Sequence, residues 1–281
     1  MTRQKITPEE FDLLRKYIFD VSGIALSNGK EYLIETRLKP LLAEYDCQTY
    51  KEIYSKSKAD IKKTIEHKII DAISTNETYF FRDKAPFELL QYKLIPDIMD
   101  LKAKQSGLMK KSLRIWSSAS STGQEIYSVS MILNELGIKD PAYAVKLFAT
   151  DISDAAIAQA SRGRYNKFEV TRGLAPEKLD KYFTKADDEW VISDEIRATV
   201  SFNQLNLMKP FTGLGKFDII FCRNVAIYFT NEDRAKLFNR LADTLSDDGY
   251  LIIGSTESLA GDSAIFEPQR YLNSTFYQKK K

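Results

Sequence analysis

The chain changes its hydrophobic period once, and that change limits the fold it can adopt more than any other feature. Up to about residue 75 the apolar residues recur at helical spacing. Phe11, Leu14, Ile18 and Val21 form one stripe; Ile34, Leu38, Leu41, Leu42 and Tyr45 form a second; Ile61, Ile65, Ile69 and Ile73 form a third. The Ser22-Gly23 break and the turn Ser27-Asn28-Gly29 separate the first two helices. After about residue 110, short runs rich in Ile, Val and Phe (113–116, 145–149, 217–222, 250–253) alternate with helix-period stretches near 124–136, 154–161 and 231–245. That alternation predicts an α/β fold with a parallel sheet and crossover helices. Ser153 and Thr230 are placed to cap two of those helices. Residues 166–203 break the rhythm. A short helix there leads through the polar turn "TKADDE" to the strand-like pieces "WVIS" and "ATVSFN", which read as a small β-subdomain inserted on the main sheet. The expected division is a helical domain over 1–75 and a larger α/β domain over 76–281.

Composition removes several classes of function. There are 41 basic and 39 acidic side chains, net charge +2, which argues against a nucleic-acid binder. Cys47 and Cys222 are far apart, and His67 is the sole histidine, so a metal cage or a disulfide framework is poorly supplied. The N-terminus lacks the apolar core of a signal peptide. Runs such as "FDIIF" fall far short of the ~20 residues needed to cross a bilayer. The expectation is a cytoplasmic protein with no membrane insertion.

Open α/β sheets bind ligands beyond the C-terminal ends of their strands. "LRIWSSA" runs into "SSTGQE", where Gly123 opens a helix. The stretch is neither a P-loop nor a dinucleotide fingerprint. Glu125 in that first turn could receive an amine, or it could simply compensate the helix dipole. Asp151 ends "VKLFATD", where nucleotide-type ligands place ribose hydroxyls; a plain turn residue is the alternative. Arg223 and Asn224, followed by Tyr228, could wall an active-site mouth, or be a surface Arg and a core Tyr. Upstream, Asn76, Thr78 and Arg82 are threaded among aromatics in "STNETYFFRD". They suggest a ligand clamp with helix capping and packing as the alternative; Arg82 could fork onto a carboxylate.

In order, "SGIALSNGKEYLIETRL", "STNETYFFRD", "RIWSSASSTGQEIYS", "LFATDISDAAIAQASRGRY", "FNQLNLM", "FDIIFCRNVAIYF" and "DGYLIIGSTESL" resemble the chemotaxis receptor methyltransferases, the CheR family. The resemblance covers nearly the whole chain. It implies a Rossmann-like class I S-adenosylmethionine (SAM) domain behind a helical N-terminal domain. The implied enzyme methylates glutamate side chains on chemoreceptors to γ-methyl esters during adaptation, leaving S-adenosylhomocysteine (SAH).

The implied cofactor contacts are Asn76, Thr78 and Arg82 near the methionyl end, Glu125 at the amino group and Asp151 at the ribose. Asn206 and Leu207 fall on the adenine side, and Arg223 and Asn224 follow the fourth main strand. Arg82 and Tyr228 are the implied catalytic residues, and no metal is implied. The implied partner is the cytoplasmic helical bundle of membrane chemoreceptors. Lys30, Arg37 and Lys39, or the run Lys102, Lys104, Lys110, Lys111 and Arg114, could serve that encounter electrostatically. The sequence departs from the pattern at Gln124, at Ala226 and in the short, glycine-free turn "FTKADDEWV". The last departure leaves docking on a receptor's C-terminal pentapeptide doubtful. Competing functions are methylation of a small-molecule carboxylate, or a SAM-sensing scaffold without turnover.

Overall fold

The computed structural model describes residues 5–105, 111–138 and 143–280. Four helices come first: α1 (Pro8–Ser22), α2 (Glu31–Glu44), α3 (Tyr50–Ala59) and α4 (Thr64–Ile73). A capping box of Thr7 and Glu10, with Pro8 in the first turn, starts α1, and Gly23 ends it in the left-handed conformation. The four helices enclose a core of their own, built on Leu14, Ile18, Ile34, Leu38, Ile53 and Ile69. Ile61 departs from the expected third stripe. It is 98% exposed, in the turn where Asp60 takes the backbone N–H groups of Lys62 and Ile65. Local capping by Asp60 starts the helix later than the four-residue spacing suggests.

A rod follows, made of α5 (Ala85–Leu89), a π-helical turn (Leu90–Leu94) and α6 (Ile95–Gln105). The α/β part then runs β1 (Lys111–Ser117), α7 (Gln124–Glu135), β2 (Tyr143–Asp151), α8 (Asp154–Arg162), β3 (Arg164–Asn166), α9 (Lys167–Thr171), α10 (Pro176–Tyr182), β4 (Phe183–Ala186), β5 (Glu189–Ile192), α11 (Asp194–Arg197) and β6 (Val200–Gln204). It closes with β7 (Phe217–Cys222), a 3-10 turn (Ala226–Tyr228), α12 (Asn231–Thr244), β8 (Leu245–Ile253), β9 (Phe266–Tyr271) and β10 (Ser274–Lys279). Ser153 and Thr230 cap α8 and α12 as expected.

The main sheet is ordered β6-β2-β1-β7-β8-β10-β9. Its first five strands are parallel, and β10 runs antiparallel to both β8 and β9. Period-two alternation sends residues to opposite faces. Ile219 and Phe221 meet α5, the rod and α7, whereas Ile220 and Cys222 meet Leu237, Phe238 and Leu241 of α12. The order reverses at β1: the chain runs outward from it through β2 to β6, then returns to β7 on its other side. That is where an open α/β sheet leaves a crevice.

The insertion differs from expectation in one strand. β3, β5 and β4 form a separate small sheet, and the hairpin arms are β4 and β5. "ATVSFN" instead supplies β6, which pairs with β2 in the main sheet through Leu147–Val200 and Ala149–Phe202. A short parallel edge strand and a hairpin arm carry the same alternation, so periodicity could not separate them. Among the described residues no helix is long and apolar enough to cross a membrane.

Candidate functional site

The ends of β1, β2 and β7, the loop after β6 and the helical domain together bound a cavity of about 300 Å³, within the range of small-molecule pockets. Asn76, Thr78, Arg82, Glu125, Asp151, Asn206, Leu207, Arg223, Asn224 and Tyr228 all line it. The helical side adds Ile24, Ala25, Leu26, Lys30, Leu33 and Arg37. The two units touch beside the opening. The Ala25 N–H donates to the Tyr228 carbonyl at 3.0 Å. His67 Nδ1 lies 2.6 Å from Asp154 Oδ2 at the start of α8, and Asp71 accepts the Ala155 N–H.

The floor of the crevice is polar and tightly tied. Glu125 is buried; one oxygen accepts from the Ser117 hydroxyl at 2.7 Å and the other from Arg223 Nη1 at 2.9 Å. The Arg223 side chain is 1% exposed. Its Nη2 donates to Asp83 Oδ2 at 2.7 Å and to the Arg82 carbonyl at 3.0 Å. Its Nε is buried without a hydrogen-bond partner among the described residues, an orphan donor that a ligand oxygen could satisfy.

Asp151 accepts the N–H of Ser121 on one oxygen at 2.8 Å and that of Ser153 on the other at 3.0 Å. Burial raises its pKa, partly opposed by those hydrogen bonds. Each oxygen keeps a lone pair for a further donor such as a sugar hydroxyl. Beneath the crevice, burial pushes the Cys222 thiol up to about 12, so this cysteine stays protonated and inert.

Charge across the cavity is divided. The carboxylates of Glu125 and Asp151 sit at the strand ends, with Arg223 already paired. Lys30, Arg37 and Arg82 line the side formed by the helical domain and the segment after it, where Glu77, the one acid, is paired with Arg172. Such a division suits a ligand with cationic groups against the sheet and an anionic one on the other side. Several residues around the rim hold left-handed backbone: Phe81, Asp83, Ser121 and Asn224, at φ 52°, 69°, 49° and 57°. Strain of this kind persists where the surroundings over-determine it, and it clusters at functional sites.

Some of the expected site residues already have protein partners. Asn206 lines the cavity, but its amide holds two protein partners: Nδ2 donates to the Val21 carbonyl and Oδ1 accepts the Met208 N–H, both at 2.8 Å. The side chain therefore ties the loop after β6 to α1. The Leu207 carbonyl is taken by Arg240 at 2.6 Å. Arg37 donates to the Ile73 and Ser74 carbonyls and to Thr75 Oγ1, capping α4. In the basic run, Lys102 pairs with Asp218 at 2.8 Å and Arg114 donates to the Leu214 carbonyl at 2.6 Å. Lys110 and the Lys111 side chain lie outside the described residues.

Three contributors escaped sequence reasoning: Ser117, Asp83 and Glu257. One oxygen of Glu257 accepts the N–H groups of both Asn224 and Gly254 at 2.7 Å. A Cβ on Gly254 would sit 2.5 Å from that oxygen and 2.8 Å from Asn224 Nδ2. Asp83 and Glu257 do lie inside "STNETYFFRD" and "DGYLIIGSTESL", but an acid in a turn reads as solvated unless its cross-chain partner is visible.

Comparison with known proteins places the chain in a family. Residues 9–73 match the family "CheR methyltransferase, all-alpha domain" and residues 76–272 match "CheR methyltransferase, SAM binding domain". A chemotaxis protein methyltransferase of Vibrio parahaemolyticus is 35% identical over 283 residues, covering 100% of both chains. Chemotaxis protein methyltransferase 1 of Pseudomonas aeruginosa is 36% identical over 254 residues, 89% of this chain and 90% of that one. A chemotaxis protein methyltransferase of Borreliella burgdorferi is 35% identical over 281 residues, with coverage of 98% and 95%.

Proposed function

The chain belongs to the CheR methyltransferase family, and from that premise we propose how its crevice divides the work of the reaction. It is a SAM-dependent methyltransferase of chemotaxis, and we take its acceptors to be glutamate side chains of chemoreceptors. The proposal concerns residues and partners. The helical domain extends to residue 75 and the catalytic domain follows it. Asp151 holds the ribose hydroxyls, and Glu125 takes the amino group while Arg223 fixes its orientation. Asn76 and Thr78 flank the methionyl end, and Asn224 walls the same side. Asn206 and Leu207 frame the adenine through the loop they shape, since the Asn206 amide is already engaged. The observation that carries the reading is the convergence of these segments on one cavity at the sheet's reversal point.

When bound, SAM supplies a methyl carbon activated on a cationic sulfonium. A glutamate acceptor has an ordinary pKa of about 4.3, so it arrives anionic and needs no general base. His67 accordingly stands away from the cavity, paired with Asp154. Arg82 steers the incoming carboxylate. Its Nη1 donates to the Glu77 carbonyl at 2.7 Å, and a guanidinium carries five N–H donors, more than that bond uses. Tyr228 offers its hydroxyl to the acceptor and its ring to the cofactor's positive charge. The helical domain closes over both and excludes water, and the methyl transfer then rests on alignment.

The acceptor is the cytoplasmic helical bundle of a receptor, and the enzyme works in the cytoplasm; its cysteines are free and buried, as a reducing compartment allows. Pentapeptide docking is not part of the proposal. The β4–β5 turn is Asp187-Asp188, flanked by the Ala186–Glu189 pair, short and without glycine. Labelled methyl transfer from SAM to receptor-containing membranes tests the reading. Base-labile label released as methanol is expected; label appearing only on a small carboxylate, or none with tight SAH binding, refutes it.

A further inference from the structure

We propose that Asp83 is a positioning residue for methyl transfer, aiming Arg82 through the shared guanidinium of Arg223; this rests on the function proposed above. The backbone at Phe81, Asp83 and Lys84 has positive φ, at 52°, 69° and 47°, which non-glycine residues rarely hold. Arg82 sits inside that turn. Asp adopts positive φ more readily than Phe or Lys, and tertiary contacts reinforce the turn. Two do. The Phe81 N–H donates to the Ser128 hydroxyl at 3.0 Å, and Asp83 Oδ2 accepts from Arg223 at 2.7 Å, with the Ser255 hydroxyl at 3.4 Å.

Arg223 divides its donors by function. Nη1 serves Glu125, on the cofactor side. Nη2 serves Asp83 and the Arg82 carbonyl together, so the guanidinium clamps the turn at two successive residues. Being 1% exposed, it cannot swing to follow a relaxing turn. The Asp83 carboxylate is a charge-assisted tether between a rigid strand end and the backbone of the candidate carboxylate-steering arginine. Removing its charge weakens one of the two bonds of that clamp and leaves the Glu125 subsite in place.

The test uses the full chain with Asp83→Asn, Arg82→Met and the double variant. Three quantities are measured: turnover on receptor membranes, SAH affinity by calorimetry, and amide hydrogen exchange. Expected for Asp83→Asn is a fall in kcat of about tenfold, the scale of one charge-assisted hydrogen bond. Receptor KM and SAH affinity should hold within about threefold, and exchange should quicken at Lys84, whose N–H bonds the Phe81 carbonyl. In the Arg82→Met background the second change should cost no further turnover, because Asp83 acts through Arg82. Unchanged kcat overturns the proposal. So does additivity in the double variant, or a loss of SAH affinity equal to the loss of turnover. If the unsubstituted protein methylates no receptor, the functional reading fails instead, and unchanged exchange at Lys84 in Asp83→Asn then overturns the tether by itself.

Discussion

Replacing Asp151 by Asn tests the ribose assignment with little change in shape. The carboxylate now holds two backbone N–H groups, and we assign its remaining lone pairs to two sugar hydroxyls. Hydrogen bonds to a charged group contribute about 1.5–3 kcal/mol each. The amide keeps one acceptor and loses the charge, so one ligand bond disappears and the other weakens, a loss of about 2–4 kcal/mol. At about 1.4 kcal/mol per tenfold, SAH should bind about 30- to 1,000-fold more weakly in calorimetry. Folding should suffer less. One N–H loses its partner, but a buried charge is also removed, and these effects oppose one another.

The pH dependence gives a second arm to the same test. Burial raises the Asp151 pKa in the free protein. Hydroxyl donors favour the ionised form, so ligand binding lowers it again. Affinity for SAH is therefore present above the raised free-protein pKa and lost as pH falls through it, while the Asp151→Asn variant should show no such step. For folding the sign is reversed: a carboxyl raised by burial penalises the native state above its pKa, and that penalty vanishes on acidification. An Asp151→Asn protein that binds SAH within about threefold of the original, or that retains the acid step, would refute the ribose role.

Tyr228→Phe should lower kcat by about ten- to a hundredfold with SAH affinity nearly unchanged, since only the hydroxyl is lost; calorimetry showing a parallel loss of affinity would contradict that division. Asn206→Ala removes the bonds to Val21 and Met208 and should cost about 1–3 kcal/mol in denaturant unfolding; a neutral variant would mean that the link to α1 carries no stability. Ile61→Asp should leave stability unchanged, whereas Ile69→Ala should cost about 2–5 kcal/mol, because Ile61 is 98% exposed and Ile69 is 0%.

The helical periods of α1, α2 and α4, the alternating runs that became β1, β2, β7 and β8, and the caps at Ser153 and Thr230 were legible from residue order, because each is decided within a turn or a strand; α3 (Tyr50–Ala59) gave no stripe of its own in that reading. The lining residues were legible for a related reason. Asp151, Glu125 and Arg223 follow the ends of strands or open a helix, and such ends are where an open sheet faces its ligands. Ile61 and "ATVSFN" were misread where a local competitor interfered: a capping aspartate in one case, and an edge strand with a hairpin's pattern in the other.

The amino-acid order thus determined which segments fold as helices and strands, and which polar residues gather at the strand ends. Tertiary structure alone decided what those polar groups do. It closed Arg223 onto Glu125 and Asp83, turned Asn206 away toward α1, and directed Arg37 to the end of α4. Period and propensity act over a few neighbouring residues. A hydrogen bond between residues 98 or 140 positions apart depends on where the whole chain has brought its ends, and no local pattern encodes that.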